Sequence, residues 1–68
     1  MLGERMKMLR KERKVPQKEL AELMGVKIRG YQYYERGQTE PTIAALIALA
    51  DFYGVTIDYL VGRTDTPM

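Results

Sequence analysis

The segment QKELAELMGVKIRGYQYYERG, residues 17–37, concentrates side chains that bind partners through hydrogen bonds. Arg29 and Gln32 can each form paired hydrogen bonds to a base edge, and Ile28 can contact a thymine methyl group. Lys27 and Tyr33 can reach either a base or a phosphate group. These groups indicate recognition of a polar partner, although an ordinary solvated helix face has a similar composition.

The residues that usually perform catalysis are missing from the chain. It contains no histidine and no cysteine, and we find neither paired carboxylates on a predicted cleft nor a glycine-rich phosphate loop. Without cysteine there is no disulfide framework and no cysteine-ligated zinc site, which fits a reducing compartment. We therefore expect a protein that is not an enzyme and that uses no metal and no cofactor.

The length of 68 residues allows one domain, near the lower size at which a chain buries a core without disulfides or metal. No apolar run approaches the roughly 18 residues that a membrane-spanning helix needs. The N-terminus is charged throughout and lacks the apolar centre of a signal peptide. We therefore expect a soluble, cytoplasmic protein with no membrane contact.

Charge is divided unevenly along the chain. Residues 1–36 hold ten Lys and Arg against five Asp and Glu, a balance of +5, whereas residues 37–68 hold one against four, a balance of −3. A basic half indicates a polyanionic partner for one surface, although uneven charge also arises by chance in small soluble domains.

Turn signals at Val15-Pro16, Gly25, Gly37 with Pro41, and Gly54 separate five segments with helical periodicity. The predicted helices cover about residues 2–13, 17–24, 27 or 28 to 36, 43–53, and a short stretch after Thr56. We expect their buried faces to contain Leu2, Met6, Leu9, Leu20, Ala21, Met24, Tyr31, Tyr34, Ile43, Leu46, Ile47, Ala50, Tyr53, Ile57 and Leu60. Glu4, Arg5, Lys7, Lys11 and Glu12 are expected outside. Residues 1–62 form the predicted domain, and residues 63–68 read as a frayed tail or the start of a linker.

The second and third predicted helices, separated only by Gly25 and Val26, have the spacing of a helix-turn-helix unit. Gln17 opens the first of them, and Ala21 follows four residues later, where a bulky side chain would block a close crossing. Gly25 lies in the turn, and the apolar position 31 completes the pattern.

The stretch from about Leu9 to Leu60 resembles the Cro and phage-repressor class of helix-turn-helix domains. The resemblance rests on PQKELAELMGV, YYERG, EPTIAALIALADFYGV and DYLVGRTD, which match the pattern of the class almost segment by segment. It implies an all-α, compact five-helix bundle of the lambda-repressor-like type. It also implies a regulator that represses or activates transcription, with repression favoured, and that binds double-stranded operator DNA as a homodimer, with the third helix in the major groove.

The resemblance and the side-chain chemistry together predict the site. Base contacts are expected from Lys27, Ile28, Arg29, Gln32 and Tyr33. Phosphate contacts are expected from Arg10, Gln17, Lys18, Arg36, Gln38 and Thr39. Arg10 and Glu35 look like the ion pair that, in this class, ties the first helix to the end of the third. The dimer interface is expected at Val55, Ile57, Asp58, Tyr59 and Val61.

The chain also departs from the class. Pro16 and Lys27 replace the serine or threonine that often caps the second and third helices, so both caps should be weakened. Gly30, inside the third helix, either lets the backbone approach the groove closely or is neutral drift. An apolar outer face on the fourth helix, with Ala44, Ala45, Ala48 and Phe52, keeps open an alternative function as a protein-binding module such as an antitoxin or adaptor.

Overall fold

The computed structural model describes residues 1–68, and all of its regular structure is helical. The helices are α1 (Leu2–Arg13), α2 (Gln17–Met24), α3 (Ile28–Arg36), α4 (Ile43–Tyr53) and α5 (Ile57–Leu60). Helix α3 packs between α1 and α2, α2 also packs on α4, and α5 closes the bundle against α1 and α4. The predicted all-α, five-helix fold is confirmed. None of the helices combines the length and the apolar character needed to span a membrane.

Three glycines end the helices where the sequence predicts. Gly25, Gly37 and Gly54 have φ values of 72°, 74° and 69°, in the left-handed region that glycine adopts without a steric penalty. After Gly25, the Val26 N–H donates back to the Ala21 carbonyl at 2.9 Å. The glycines therefore stop α2, α3 and α4 and turn the chain into the next helix.

The two predicted threonine caps are present, and the two predicted weak caps are also confirmed. Thr42 Oγ1 accepts from the Ala45 N–H at 3.1 Å, and Thr56 Oγ1 accepts from the Tyr59 N–H at 3.0 Å. Pro16 and Lys27, which precede α2 and α3, form no side-chain cap hydrogen bond. Helices α2 and α3 therefore begin with free backbone N–H groups.

The core takes one completely buried side chain from each helix: Met6, Leu20, Tyr31, Leu49 and Leu60. Leu9, Ala21, Met24, Ala50 and Tyr53 are also buried, as predicted, and Leu2, Tyr34, Leu46 and Ile57 pack at its edge. A small domain has few residues to spare, so burial of one large side chain from every helix is how this chain forms a single core.

The buried face of α4 differs from the prediction. Ile43 and Ile47 are 74% and 47% exposed, whereas Ala45 and Leu49 are buried. The helix sequence IAALIALADFY is apolar nearly all the way round, so its spacing alone does not select a face. Contact with α2 and α5 selects the face that holds Ala45 and Leu49.

Arg5 and Tyr59 also differ from the prediction, because each buries the other. The Arg5 guanidinium lies 4.1 Å from the centre of the Tyr59 ring and donates to the Tyr59 carbonyl at 3.1 Å. Arg5 is therefore not an outer-face residue, and Tyr59, 8% exposed, belongs to the core.

Two contacts join the C-terminal residues to the bundle. Arg5 pairs with Asp65 at 3.0 Å, and the Thr56 N–H donates to the Pro67 carbonyl at 2.9 Å.

Candidate nucleic-acid interface

The turn at Gly25 brings α2 and α3 into direct contact. Ala21 is buried at this contact, where its methyl group leaves room for the second helix. Tyr31 anchors the inner side of α3 in the core, which leaves the opposite side of the helix to face outward. The core therefore holds α3 in place through its buried side.

The residues predicted to contact bases fall into two groups along α3. Lys27, Ile28 and Arg29 are exposed at the start of the helix, and none of their side chains has a hydrogen-bond partner. Gln32 and Tyr33 lie about one turn further on and are half-buried. The structure thus presents a cation, an apolar side chain and a guanidinium together at the N-terminal end of α3.

Gln32 belongs to a chain of hydrogen bonds that runs inward from the surface. Its Nε2 donates to Gln17 Oε1 at 3.0 Å, and Gln17 Nε2 donates to Glu35 Oε1 at 3.3 Å. Glu35 Oε2 accepts from Arg10 Nε and from the Tyr31 hydroxyl, both at 2.6 Å. The first residue of α2 is thereby linked to α1 and to the inner side of α3.

The surroundings of this hydrogen-bond chain favour the charged forms of Glu35 and Arg10. Burial alone would raise the pKa of the Glu35 carboxyl, but hydrogen bonds from Arg10 and Tyr31 lower it below its ordinary value. The hydrogen bond to Glu35 raises the pKa of Arg10, and burial raises the pKa of the Tyr31 hydroxyl. The predicted Arg10–Glu35 pair is therefore present in the structure as an ion pair.

An open cleft of about 310 Å³ lies beside these hydrogen-bonded residues, between α1 and α3, and no hydrophobic residue lines it. It is lined by Lys7, Arg10, Lys11, Gln17, Gln32, Glu35 and Arg36. Four cations face one carboxylate, and that carboxylate is already paired with Arg10. The cleft therefore suits an anion. Lys7 and Lys11 were not among the predicted site residues, although their spacing of four residues on α1 places them on one helix face.

Free backbone N–H groups reinforce this positive surface. The N–H groups of Gln17 and Lys18, at the start of α2, have no acceptor in the structure. The N-terminus of a helix carries partial positive charge and binds anions. The predicted phosphate residues Gln17 and Lys18 thus lie where an anion is favoured.

The remaining predicted phosphate residues lie at the end of α3 and in the loop after it. Gln38 and Thr39 are exposed in the loop between α3 and α4, while Arg36 lies at the rim of the cleft. Arg13, another basic residue of α1, has a structural contact instead, because it donates to the Tyr53 carbonyl at 3.3 Å.

The residues predicted to form a dimer interface lie around α5. Asp58 is exposed, and Val55, Ile57 and Val61 are half-buried. Tyr59 is the exception, since its ring is buried under Arg5.

Comparison with known proteins supports the helix-turn-helix interpretation of the geometry. The helix-turn-helix family model matches residues 6–60. The chain is 37% identical over 67 residues to the uncharacterized HTH-type transcriptional regulator YobD of Bacillus subtilis, covering 98% of this chain and 60% of that protein. It is 38% identical over 66 residues to the cryptic phage CTXphi transcriptional repressor RstR of Vibrio cholerae, covering 97% of this chain and 60% of that protein. The chain thus spans about three fifths of the length of these relatives.

Solved structures agree with these matches. A transcriptional regulator from Listeria innocua is similar with a TM-score of 0.90 and 38% identity, covering 94% of this chain and 60% of that chain. The P22 c2 repressor, crystallised with a synthetic operator, is similar with a TM-score of 0.81 and 35% identity, covering 88% and 91%. The sequence resemblance is confirmed, and the chain belongs to the helix-turn-helix family of the Cro and phage-repressor type.

Proposed function

We propose that this chain binds operator DNA sequence-specifically and represses transcription, with α3 in the major groove. The observation that carries the proposal is α3, which presents Lys27, Ile28 and Arg29 exposed at its start and lines a cationic cleft with residues of its later turns. Support also comes from the P22 c2 repressor, a protein of similar fold that was solved in complex with a synthetic operator. No catalytic step enters this function.

In this proposal the start of α3 reads the bases. Arg29 forms two hydrogen bonds to a guanine edge, and Ile28 packs on a thymine methyl group. Lys27 and Tyr33 contact bases or neighbouring phosphates. We assign Gln32 a different role, the positioning of Gln17, because Gln32 Nε2 donates a hydrogen bond to Gln17 Oε1.

Phosphate contacts on both sides of α3 hold the helix in register. Gln17 and Lys18 at the start of α2, together with Arg10 and Arg36 in the cleft, bind the backbone on one side. Gln38 and Thr39 bind it after α3. Such contacts position the protein and supply most of its salt-dependent affinity, but they carry no sequence information directly.

The proposal is tested by selecting bound sequences from a random DNA pool and measuring affinity at several salt concentrations. If the protein neutralises about five phosphates per protomer, log K falls with log salt at a slope near −4.5 per bound protomer. A selected consensus together with this slope supports the proposal. Absence of binding, or binding that salt does not weaken, contradicts it.

We further propose that two copies bind one operator through the surface around α5. One protomer offers one recognition helix and reads only a few base pairs, so selectivity over a genome favours a second copy. Closed two-fold pairing is the commonest arrangement of identical chains. The proposed contacts are Val55, Ile57, Asp58 and Val61, with Tyr59 supporting them from within the core.

Footprinting on the selected operator tests the dimer. Two protected half-sites, with centres about one helical turn or roughly 34 Å apart, are expected. Asp58→Lys reverses an exposed charge that pairs with the exposed Arg63, so it should weaken binding to the two-site operator with only a small change in the melting temperature. A single protected half-site that Asp58→Lys leaves unchanged would reject both the dimer and its surface.

A protein-binding module is the second candidate, and the exposed side of α4 favours it. Of the predicted outer face, Ala44 and Phe52 are exposed and Ala48 is half-buried, whereas Ala45 is buried and does not belong to it. Ile43 and Ile47 are exposed on the same helix, so its exposed side is largely apolar and is interrupted by the charged Asp51. A module of this kind, such as an antitoxin or adaptor, would show no salt-sensitive, sequence-selective DNA complex in the same selection assay. Ile47→Lys serves as a control because it alters this surface on α4, which packs on α2 and α5, and it should leave sequence-selective DNA binding intact if DNA is the partner.

A further inference from the structure

We propose that Gln32 is a positioning residue that acts on DNA affinity through Gln17 and is not primarily a base reader. The inference rests on the proposed DNA-binding function and deepens it, because it separates the reading residues of α3 from the one that organises the phosphate contact of α2. The structural basis is the hydrogen-bond chain from Gln32 through Gln17 to Glu35.

The two hydrogen bonds fix the orientation of the Gln17 side-chain amide. Gln17 Oε1 accepts from Gln32 Nε2 at 3.0 Å, and Gln17 Nε2 donates to Glu35 Oε1 at 3.3 Å. A reversed amide would place two NH₂ groups face to face and would set Oε1 against the Glu35 carboxylate, so both contacts oppose reversal. One Nε2 hydrogen remains free, and it is available to a phosphate together with the unpaired N–H groups of Gln17 and Lys18.

Glu35 forms the inner end of the hydrogen-bond chain, and further contacts fix its position. Glu35 is held by Arg10 and by the hydroxyl of Tyr31, whose ring is completely buried. Gln17 is therefore held on one side by a largely buried ion pair and on the other side by Gln32. A side chain held in this way before DNA arrives loses less conformational freedom on binding, which favours affinity.

The position of Gln32 also separates it from the base-reading residues. Gln32 lines the cationic cleft with Lys7, Lys11 and Arg36, whereas Lys27, Ile28 and Arg29 do not. Its half-buried side chain thus faces the phosphate side of the interface. Ile28, one turn earlier on α3, has no polar group that can replace it as a donor to Gln17.

A double-mutant cycle tests the inference. The affinity of the wild type, Gln17→Ala, Gln32→Ala and the double variant is measured on a random-sequence duplex at one salt concentration. Gln32→Ala should weaken binding about three- to tenfold in the wild-type background, which is the range for one lost hydrogen bond. In the Gln17→Ala background, the same substitution should change affinity less than about twofold, because its target is gone.

Arg29→Ala is the matched control, since Arg29 lies on the same helix without a contact to Gln17. Its effect on the selected operator should be the same in both backgrounds. The inference is overturned if the Gln32→Ala loss is equally large without Gln17, or if the loss appears only on the selected operator. Melting temperatures of all variants identify any loss that comes from unfolding.

A second readout needs no DNA. In the free protein, Gln32→Leu keeps the apolar stem but removes the donor, so the side-chain NH₂ signals of Gln17 should shift and exchange faster with solvent. Unchanged signals would show that the contact does not hold Gln17 and would overturn the inference. A wild type that binds no DNA would overturn the proposed function itself, and these signals would still report separately on the contact.

Discussion

The Arg10 guanidinium and the Glu35 carboxylate join the first and third helices through two hydrogen bonds, although the residues are 25 positions apart. Arg10 Nε lies 2.6 Å from Glu35 Oε2, and Arg10 Nη2 lies 3.3 Å from Glu35 Oε1. Only 16% of the Arg10 side chain and 6% of the Glu35 side chain are exposed. This pair sets the position of α3, and it also anchors Gln17.

Removal of Arg10 alone should destabilise the fold more than neutralisation of both partners. Arg10→Met leaves a nearly buried carboxylate without its cation, so we expect the free energy of unfolding to fall by about 3 kcal/mol. In Arg10→Met/Glu35→Gln the charge is gone while the amide can still bond Tyr31, and at least about 1 kcal/mol should return. Chemical denaturation measures both values. A double variant less stable than Arg10→Met would contradict the expected asymmetry.

Acid should destabilise the protein through Glu35. Hydrogen bonds from Arg10 and Tyr31 hold its pKa below the ordinary value of 4.5, despite the opposing effect of burial. The unfolded chain therefore takes up a proton at higher pH than the folded one, so this contribution is present above about pH 4.5 and is lost as pH falls through the folded pKa. Stability measured against pH should decline less steeply for Glu35→Gln. Glu22→Gln removes an exposed carboxylate that forms no ion pair and serves as the control, which should follow the wild type.

Gly3 should tolerate no side chain, because α1 passes close to the end of α3 there. A Cβ atom at Gly3 would lie 2.5 Å from the Glu35 carbonyl oxygen and 2.7 Å from that of Tyr34. Backbone atoms cannot rotate away, so Gly3→Ala should lower the free energy of unfolding by about 1–3 kcal/mol. Glu4→Ala, at the exposed neighbouring position, is the control. Equal stability of the two variants would show that α1 moves freely at this point.

The helices and their ends could be predicted because local signals determine them. Gly25, Gly37 and Gly54 adopt the left-handed conformation that ends each helix, and Thr42 and Thr56 supply the caps. These signals are local, because their hydrogen bonds join residues no more than five positions apart, as from Val26 to Ala21. They need no knowledge of how the helices pack.

The features that the sequence did not reveal all depend on packing between distant segments. Helix α4 is apolar on nearly every side, so only its neighbours determine that Leu49 is buried and Ile47 exposed. The Arg5 side chain is largely covered only because residues 59–65 lie beside it. The contact between Gln17 and Gln32 spans 15 residues and requires the crossing of α2 and α3.

Arg29 should determine sequence preference, whereas Gln17 should not. Arg29 is exposed without a partner, and a guanidinium that forms two hydrogen bonds to a base distinguishes that base by about 1–3 kcal/mol. Arg29→Ala should lose this amount on the selected operator and much less on random DNA. Gln17→Ala should weaken both kinds of DNA to a similar degree. Equal losses of Arg29→Ala on the two DNAs would assign Arg29 to the phosphate backbone.

Gly30→Ala should make the fold more stable. A Cβ atom there would lie 3.5 Å from the Val26 Cβ, an ordinary van der Waals contact, and the backbone is helical. Alanine in a helix interior is favoured over glycine by about 0.5–1 kcal/mol. Thermal and chemical denaturation should show this gain. Gly25→Ala is the contrasting control, since its φ of 72° strains any side chain and the substitution should destabilise.

The same Gly30→Ala variant should bind the selected operator less tightly, although it is more stable. Gly30 lies between the exposed Arg29 and the completely buried Tyr31, on the helix that we propose enters the major groove. A glycine allows close approach of the backbone to a ligand, and an added methyl group would hold the helix away from the base edges. Affinity on the operator and on random DNA, measured side by side, should show the larger loss on the operator. Unchanged affinity, with the expected gain in stability, would mean that no close approach occurs at Gly30 and that the glycine there is neutral drift.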